Sequence, residues 1–442
     1  MIRNRKAIVA LLTGLNFLNY LDRFIVAAVL PRIQESEANG GLGLDSFEGG
    51  LLATVFLLGY FVTAPIFGAL GDRMSRKLLI ALGVLMWSVA TLASGLAGGL
   101  VSLIAARAVV GIGEASYATL APTIIDDITP AESKGKTLAV FFLAIPIGSA
   151  CGYLLGGYIQ NLWGWRAAFL VGGGPGIALA LTCLLIEEPA RKLARANAKI
   201  AATIATLWRI PLYRRAVLGY SAHTAAIGAF AYWGPKFLSE RFATEFAPEH
   251  WIGSHDDLAK QVLGSANFYF GIVTVAAGAI GTIIGGRMAD RALRDIPSVP
   301  IDAPHDDPKN RRAANAQLRI CAIGVLIGFP FAAAAFLAPS PSVFFALAGI
   351  AEIGVFMSTA PINAILLRTA PSHLRASAMA VGIFAVHLFG DLWSPSLVGL
   401  FLDYLIPTAA MMALPLGFAI ATAVWWPRVR EAVQSERDGQ AA

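Results

Sequence analysis

Apolar residues run along this chain in long blocks, and the polar stretches between them are short. A helix that crosses a bilayer needs about 20 mostly apolar residues. Blocks of that length lie near 7–33, 47–71, 78–97, 100–125, 137–160, 167–187, 215–239, 264–289, 317–338, 342–367, 376–402 and 407–426. They are too long for strands and lack a two-residue alternation, so twelve helices are predicted. The first block follows Arg3, Arg5 and Lys6, as a signal peptide would. No small-x-small cleavage site follows, and the apolar run resumes beyond Asp22 and Arg23. It is read as a retained first helix.

The polar segments set an orientation. With the N-terminus inside, "RNRK", "GDRMSRK", "AESKGK", "ARKLARANAK", "DRALRD" and "PKNRRAANAQLR" all fall on one side. That side holds about 27 of the 34 Lys and Arg, the bias of cytoplasmic loops. Dropping one helix destroys it. The expected protein is therefore multi-pass in the plasma (inner) membrane, with both termini cytoplasmic. Residues 1–190 form one six-helix bundle and 214–430 a second. Between them, 191–213 is a cytoplasmic linker with an amphipathic helix, its apolar side Leu193, Ile200, Ile204 and Leu207. Residues 431–442 are a cytoplasmic tail.

Composition narrows the class. The chain has 442 residues, 57% hydrophobic and only 14% charged, too little polar surface for a water-soluble domain. The net charge of +6 is spent on orientation, so nucleic acid is not an expected partner. Cys151, Cys183 and Cys321 lie in apolar runs without CxxC spacing and read as core thiols. His250, His255, Asp256 and Asp257 crowd one loop without ligand spacing, so no metal is expected. No phosphate-binding loop, G-x-S-x-G or HExxH occurs. An ATP-driven machine or membrane hydrolase is excluded, and no cofactor is expected.

The two halves resemble each other. "GALGDRMSRK" ends the second block and "GGRMADRALRD" the eighth, each with G-x-x-x-D-R, at Gly68/Asp72/Arg73 and Gly286/Asp290/Arg291. A repeat of six helices is a transporter architecture, in which two bundles rock about a midplane site. "GALGDRMSRK", the glycine-rich "GSACGYLLGG" and "WGWRAAFLVGG" resemble motifs of the major facilitator superfamily, over essentially the whole chain. A Pro usual in the glycine-rich motif is replaced by Tyr153. Within the superfamily, "NYLDRFIVAAVLPRIQ" and "HLFGDLWSPSLVG" look like the Spinster-like transporters. The first of these is shared with organic-anion symporters. The fold implied is an all-α membrane protein with twelve transmembrane helices in two pseudo-symmetric six-helix bundles.

Gly148, Gly152 and Gly156, four apart, make one smooth helix face on which a second backbone can sit closely. A sliding hinge and a static packing seam both fit. In "GDRMSRK", Asp72, Arg73 and Arg76 suit a charge latch that breaks when the cytoplasmic side opens, with Asp290 and Arg291 as its repeat. Topological anchoring is the other reading.

Ionisable residues inside the blocks are few: Asp22, Arg23, Arg107, Glu114, Glu352 and Asp391, with His223 and His387. Each charge costs about 2.5–3.5 kcal/mol at a helix centre, so each needs a partner or a wet cavity. Asp22 and Arg23, as neighbours, point about 100° apart and must reach different helices. Arg107 and Glu114, seven apart, share a face about 10 Å apart along the axis. Burial near mid-span favours the neutral form of a carboxylate, which can load and release a proton. Asp22 and Glu114 are the candidate proton-coupling acids, with Arg107 as counter-charge or headgroup anchor. A fixed salt-bridge network joining helices one and four is the competing account. Arg23, Glu352, His387 and Asp391 are candidate substrate contacts, the last two on one face four apart; helix-packing hydrogen bonds are their alternative. His223 reads as a satisfied core histidine.

The expectation is a proton-coupled secondary transporter, monomeric, without cofactor, surrounded by membrane lipids. The Spinster resemblance implies amphipathic, lipid-like cargo, since eukaryotic members are associated with lysophospholipids or sphingosine phosphate. A small hydrophilic organic anion with protons is the alternative. A non-transporting receptor explains the repeat poorly.

Overall fold

The structure, a computed structural model, describes residues 2–71, 73–130, 134–188, 200–247, 254–294, 296, 307–371 and 374–426. Asp72, Leu193, His250 and the tail 431–442 lie outside the described residues. The helices are α1 (Arg5–Gln34), α2 (Ser46–Gly71), α3 (Arg76–Gly95), α4 (Leu100–Ile128), α5 (Lys134–Trp163), α6 (Trp165–Cys183) and α7 (Ile200–Arg209). They continue as α8 (Pro211–Arg241), α9 (Ala243–Phe246), α10 (His255–Ala292), α11 (Pro308–Phe336), α12 (Pro341–Phe356) and α13 (Thr359–Arg368). The last are α14 (Arg375–Phe389), α15 (Ser394–Tyr404), α16 (Pro407–Met411) and α17 (Ala413–Trp425). Among the described residues the one extended pairing is an isolated bridge, Ile2 with Ile186. Helices dominate because a bilayer offers no water, so each segment must satisfy its own backbone.

Eleven helical stretches among the described residues are long and apolar enough to cross a membrane. The remaining expected span is α8, whose centre is diluted by Tyr220, Ser221, His223 and Thr224. The predicted starts have local causes. Asp45 and Glu48 form a reciprocal capping box at α2, with Glu48 N–H donating to Asp45 Oδ1 at 2.7 Å. Asp307 caps α11 and Ser340 caps α12, each followed by Pro at the first helical position.

Three expected spans are broken, which periodicity does not reveal. The tenth stops at Met357–Ser358, where Ser358 Oγ donates to Val355 O at 2.8 Å. That side-chain bond competes with the helical ladder. The eleventh opens at Gly390 and the last at Met412. In the linker, α7 buries Leu207 and leaves Ile204 exposed. Cys183 and Cys321 are buried thiols, but Cys151 is only partly covered, a correction to its core reading.

The chain divides into two compact units. The first comprises Met1–Ala194, Ala231–Val275 and Pro395–Tyr404; the second comprises Arg195–Phe230, Ala276–Ser394 and Leu405–Ala442. In the first, α1 packs on α5, α2 on α4, and α3 on both α4 and α6. In the second, α11 packs on α12 and α17, repeating the α3 pairings. The α1–α5 contact runs over the predicted glycine face. A Cβ on Gly148 would meet Phe17 O at 2.5 Å, and one on Gly152 would meet Leu21 O at 2.6 Å. On Gly156 it would meet Ala28 Cβ at 2.8 Å. The first unit also holds an unexpected long-range cap: Asp403 accepts from Ser46 N and Phe47 N, both at 2.8 Å, at the start of α2.

Candidate functional site

In the first unit four charged side chains of two helices face one another, three of them buried and Arg23 partly exposed. Asp22 and Arg23 come from α1, and Arg107 and Glu114 from α4. Arg23 Nη2 lies 3.0 Å from Glu114 Oε2, and Arg107 Nη1 lies 3.9 Å from Asp22 Oδ2. The neighbours on α1 do point to different partners, yet both reach α4; Asp22 also reaches α3. The counter-charge is thus divided, Arg107 facing Asp22 and Arg23 facing Glu114. Two adjacent residues on one helix reach two residues seven apart on the other.

Thr91 Oγ1 on α3 donates to Asp22 Oδ2 at 2.7 Å. Asp22 Oδ1 and Glu114 Oε1 find no hydrogen-bond donor among the described residues. The side chain of Glu114 is wholly buried, whereas that of Arg23 is 22% exposed. Arg23 is the member of the set nearest to open space. Three rings surround its guanidinium: Phe56 at 4.8 Å, Tyr20 at 5.0 Å and Tyr60 at 5.9 Å. Such ring faces attract a cation and replace part of its lost hydration.

Close backbone contacts hold α4 in register. Gly111, three residues before Glu114, packs against the carbonyl of Phe56 on α2. Gly113 packs against α3, where a Cβ would lie 2.6 Å from Gly83 O and 2.7 Å from Trp87 N. The run "GIGE" thus presses α4 onto two helices just before its acid. These glycines, with Thr91, Phe56 and Tyr60, carry no charge that sets them apart in the sequence. The i, i+4 spacing of Phe56 and Tyr60 was a visible signal; nothing local marks Thr91.

In the second unit, His387 Nδ1 and Asp391 Oδ1 are 2.8 Å apart. They pair although the helix opens between them, at Gly390. Asp391 sits against α8, where a Cβ on Gly228 would lie 2.5 Å from Asp391 Cβ. Glu352 is half-buried on α12. His223 is buried, with Nε2 3.2 Å from Val355 O and 3.1 Å from Ser358 Oγ, at the break between α12 and α13.

The candidate latch divides. Asp72 lies outside the described residues, Arg73 is exposed, and Asp290 and Arg291 are exposed at the end of α10. Arg76 is buried and forms a hub that its motif did not disclose. Its Nη1 meets Asp127 Oδ2 at 2.8 Å and donates to Thr123 Oγ1 at 3.1 Å. Its backbone N–H donates to Glu188 Oε1 at 2.7 Å. Arg76→Ala strands the Asp127 carboxylate, and losing one partner of a buried pair costs about 3 kcal/mol. We expect the purified variant to melt several degrees below wild type. An unchanged melting temperature shows that the hub holds nothing together.

A helical bundle with paired charges in its interior is the form of a membrane transporter. The Major Facilitator Superfamily model matches residues 12–395, and the chain belongs to that superfamily, in its Spinster-like branch. It is 35% identical to protein spinster of Drosophila melanogaster over 88% of this chain, and spans 61% of that protein's length. It is 33% identical to protein spinster homolog 1 of Homo sapiens, over 90% of this chain and 73% of that one. A crystal structure of a bacterial homolog to the human lysosomal transporter Spinster, inward-facing and unoccupied, superposes with a TM-score of 0.78. That match covers 98% of this chain and 99% of the other at 21% identity, a likeness of fold. The protein is a multi-pass membrane transporter.

Proposed function

We propose that this transporter couples movement of an amphipathic, lipid-like molecule to protons, with Asp22 and Glu114 as the proton-carrying acids. The observation that carries the reading is the crossed arrangement on α1 and α4. Each acid faces one arginine, and each keeps one oxygen without a donor among the described residues. A fixed structural bridge is more stable when both oxygens are satisfied. A carboxylate held by one side alone is suited to exchange a proton for a positive neighbour. Once Glu114 is neutral, Arg23 is released beside its rings, where an anionic headgroup can meet it. Arg107 is the second headgroup anchor, and Glu352, His387 and Asp391 are the proposed contacts in the other half. The membrane is the inner one, with both termini cytoplasmic, as the distribution of Lys and Arg favours.

Ligand-induced stabilisation of the purified protein tests the substrate class, because a ligand that binds only the native state raises its apparent stability. Lysolipids of graded tail length and small organic acids are run side by side. Each buried methylene contributes about 0.8 kcal/mol, roughly fourfold in affinity. We expect affinity to climb with tail length up to a limit, and Arg107→Ala to weaken all lengths by a similar factor. A flat dependence on length, with small acids binding and Arg107→Ala abolishing it, replaces the lipid reading with an organic-anion symporter.

A further inference from the structure

The geometry points to Phe56 as a positioning residue that links the two ion pairs, so that discharge of one acid is felt at the other. The inference rests on the proposal that Asp22 and Glu114 exchange protons. The two pairs share no atom. They do share a ring: Phe56 lies 4.8 Å from the guanidinium carbon of Arg23 and 5.1 Å from that of Arg107.

Arg107 depends on this ring more than Arg23 does. It is 2% exposed, and its Nε and Nη1 find no hydrogen-bond acceptor among the described residues. Its carboxylate neighbour, Asp22, is 3.9 Å away. A buried guanidinium short of acceptors is costly, and the negative face of an aromatic ring offsets part of that cost. The backbone that carries the ring is held close to α4, because the Phe56 carbonyl is pressed against Gly111, four residues beyond Arg107; the ring itself is buried. The other charged or titratable groups nearby are Tyr20 on α1, Tyr60 on α2 and Tyr232 on α8.

The consequence follows from electrostatics. When Glu114 takes a proton, Arg23 loses its counter-charge and leans harder on its rings. Two cations polarise one π system less favourably than one. Stronger engagement by Arg23 therefore loosens Arg107 from the ring and drives it toward Asp22. Proton binding at the two acids is thereby made unequal, with Phe56 as the shared element.

The test replaces Phe56 in the full-length protein by phenylalanines carrying one, two or three ring fluorines. These keep the ring's shape while draining its negative face. Proton uptake by the purified protein is titrated with an indicator dye, which needs no substrate, and the curve of an Asp22→Asn, Glu114→Gln double variant is subtracted, because the chain's 28 Asp and Glu and 6 His also titrate. We expect the wild-type difference curve to show two separated steps, as coupled sites do. Fluorination should draw the steps together progressively, by about threefold or more in apparent proton affinity for the trifluorinated ring. Phe56→Trp, with a stronger π face, should retain or widen the separation. A titration identical across the fluorine series, at an unchanged melting temperature, overturns the role of Phe56. A difference curve without proton uptake, wild type and double variant titrating alike, overturns the coupling proposal itself, and is distinguishable from the first result.

Discussion

Glu114→Gln is expected to abolish uptake driven by a proton gradient while leaving the protein folded and able to exchange substrate. Glutamine has nearly the shape of a protonated glutamate, so the variant imitates one end of the proposed cycle and cannot leave it. Arg23 loses its carboxylate at 3.0 Å but keeps the faces of Tyr20, Phe56 and Tyr60. It is also 22% exposed, so its charge is not stranded. Arginine in this position is tolerable without its partner, which is why expression should survive. Reconstituted vesicles separate the two functions: counterflow under equal pH should persist, and uptake under an imposed pH difference should vanish. Driven uptake at the wild-type rate would show that the bridge to Arg23 is structural and that protons travel elsewhere.

The second large effect is expected at a position without any side chain. Gly152→Ala should destabilise the protein and impair coupling together. Its new methyl would meet Leu21 O at 2.6 Å and Phe24 Cβ at 2.9 Å, both on α1. Two helix backbones in contact cannot yield locally, so α1 must move away from α5. Overpacking of this kind costs about 1–3 kcal/mol. The displaced stretch is the one that carries Asp22 and Arg23, so their alignment with α4 is lost with it. Gly14→Ala, on α1 itself, is the control. Nothing lies within 4 Å of a Cβ there, and alanine is the better helix former by about 1 kcal/mol. Melting temperatures of the two variants should therefore move in opposite directions, and pH-driven uptake should fall in Gly152→Ala alone. Equal behaviour would mean that α1 and α5 slide or separate freely, contrary to a packed seam.

Much of this site was legible because a bilayer is an exacting solvent. An aspartate and an arginine inside an apolar block are conspicuous, since each is costly there and must be answered by something. Arg107 and Glu114 stood out for the same reason. The glycines at 148, 152 and 156 were legible by spacing, and they lie against the charged helix. Arg76 was legible as part of a motif, but its partners Asp127 and Glu188 were not. They lie on α4 and in the segment beyond α6, brought together by the fold. The roles of Thr91 and Phe56 were hidden for a further reason, although the spacing of Phe56 and Tyr60 was itself visible. A threonine or a phenylalanine in an apolar helix is ordinary, and becomes special only by facing a carboxylate or two guanidinium groups.

By itself the sequence determined that this chain lies in a membrane, that helices cross it, and that four charges in the first half need answering. Those conclusions rest on hydropathy and on helix spacing, which act within one segment. Only the tertiary structure decided that Asp22 faces Arg107 and Thr91 while Arg23 faces Glu114 and a trio of rings. It also decided where the tenth and eleventh spans break. The pairing of the charges depends on how far each helix is rotated and slid against its neighbours. That register comes from close contacts such as Gly111 on Phe56 and Gly152 on Leu21, between residues far apart along the chain. Periodicity along a single helix carries no information about it.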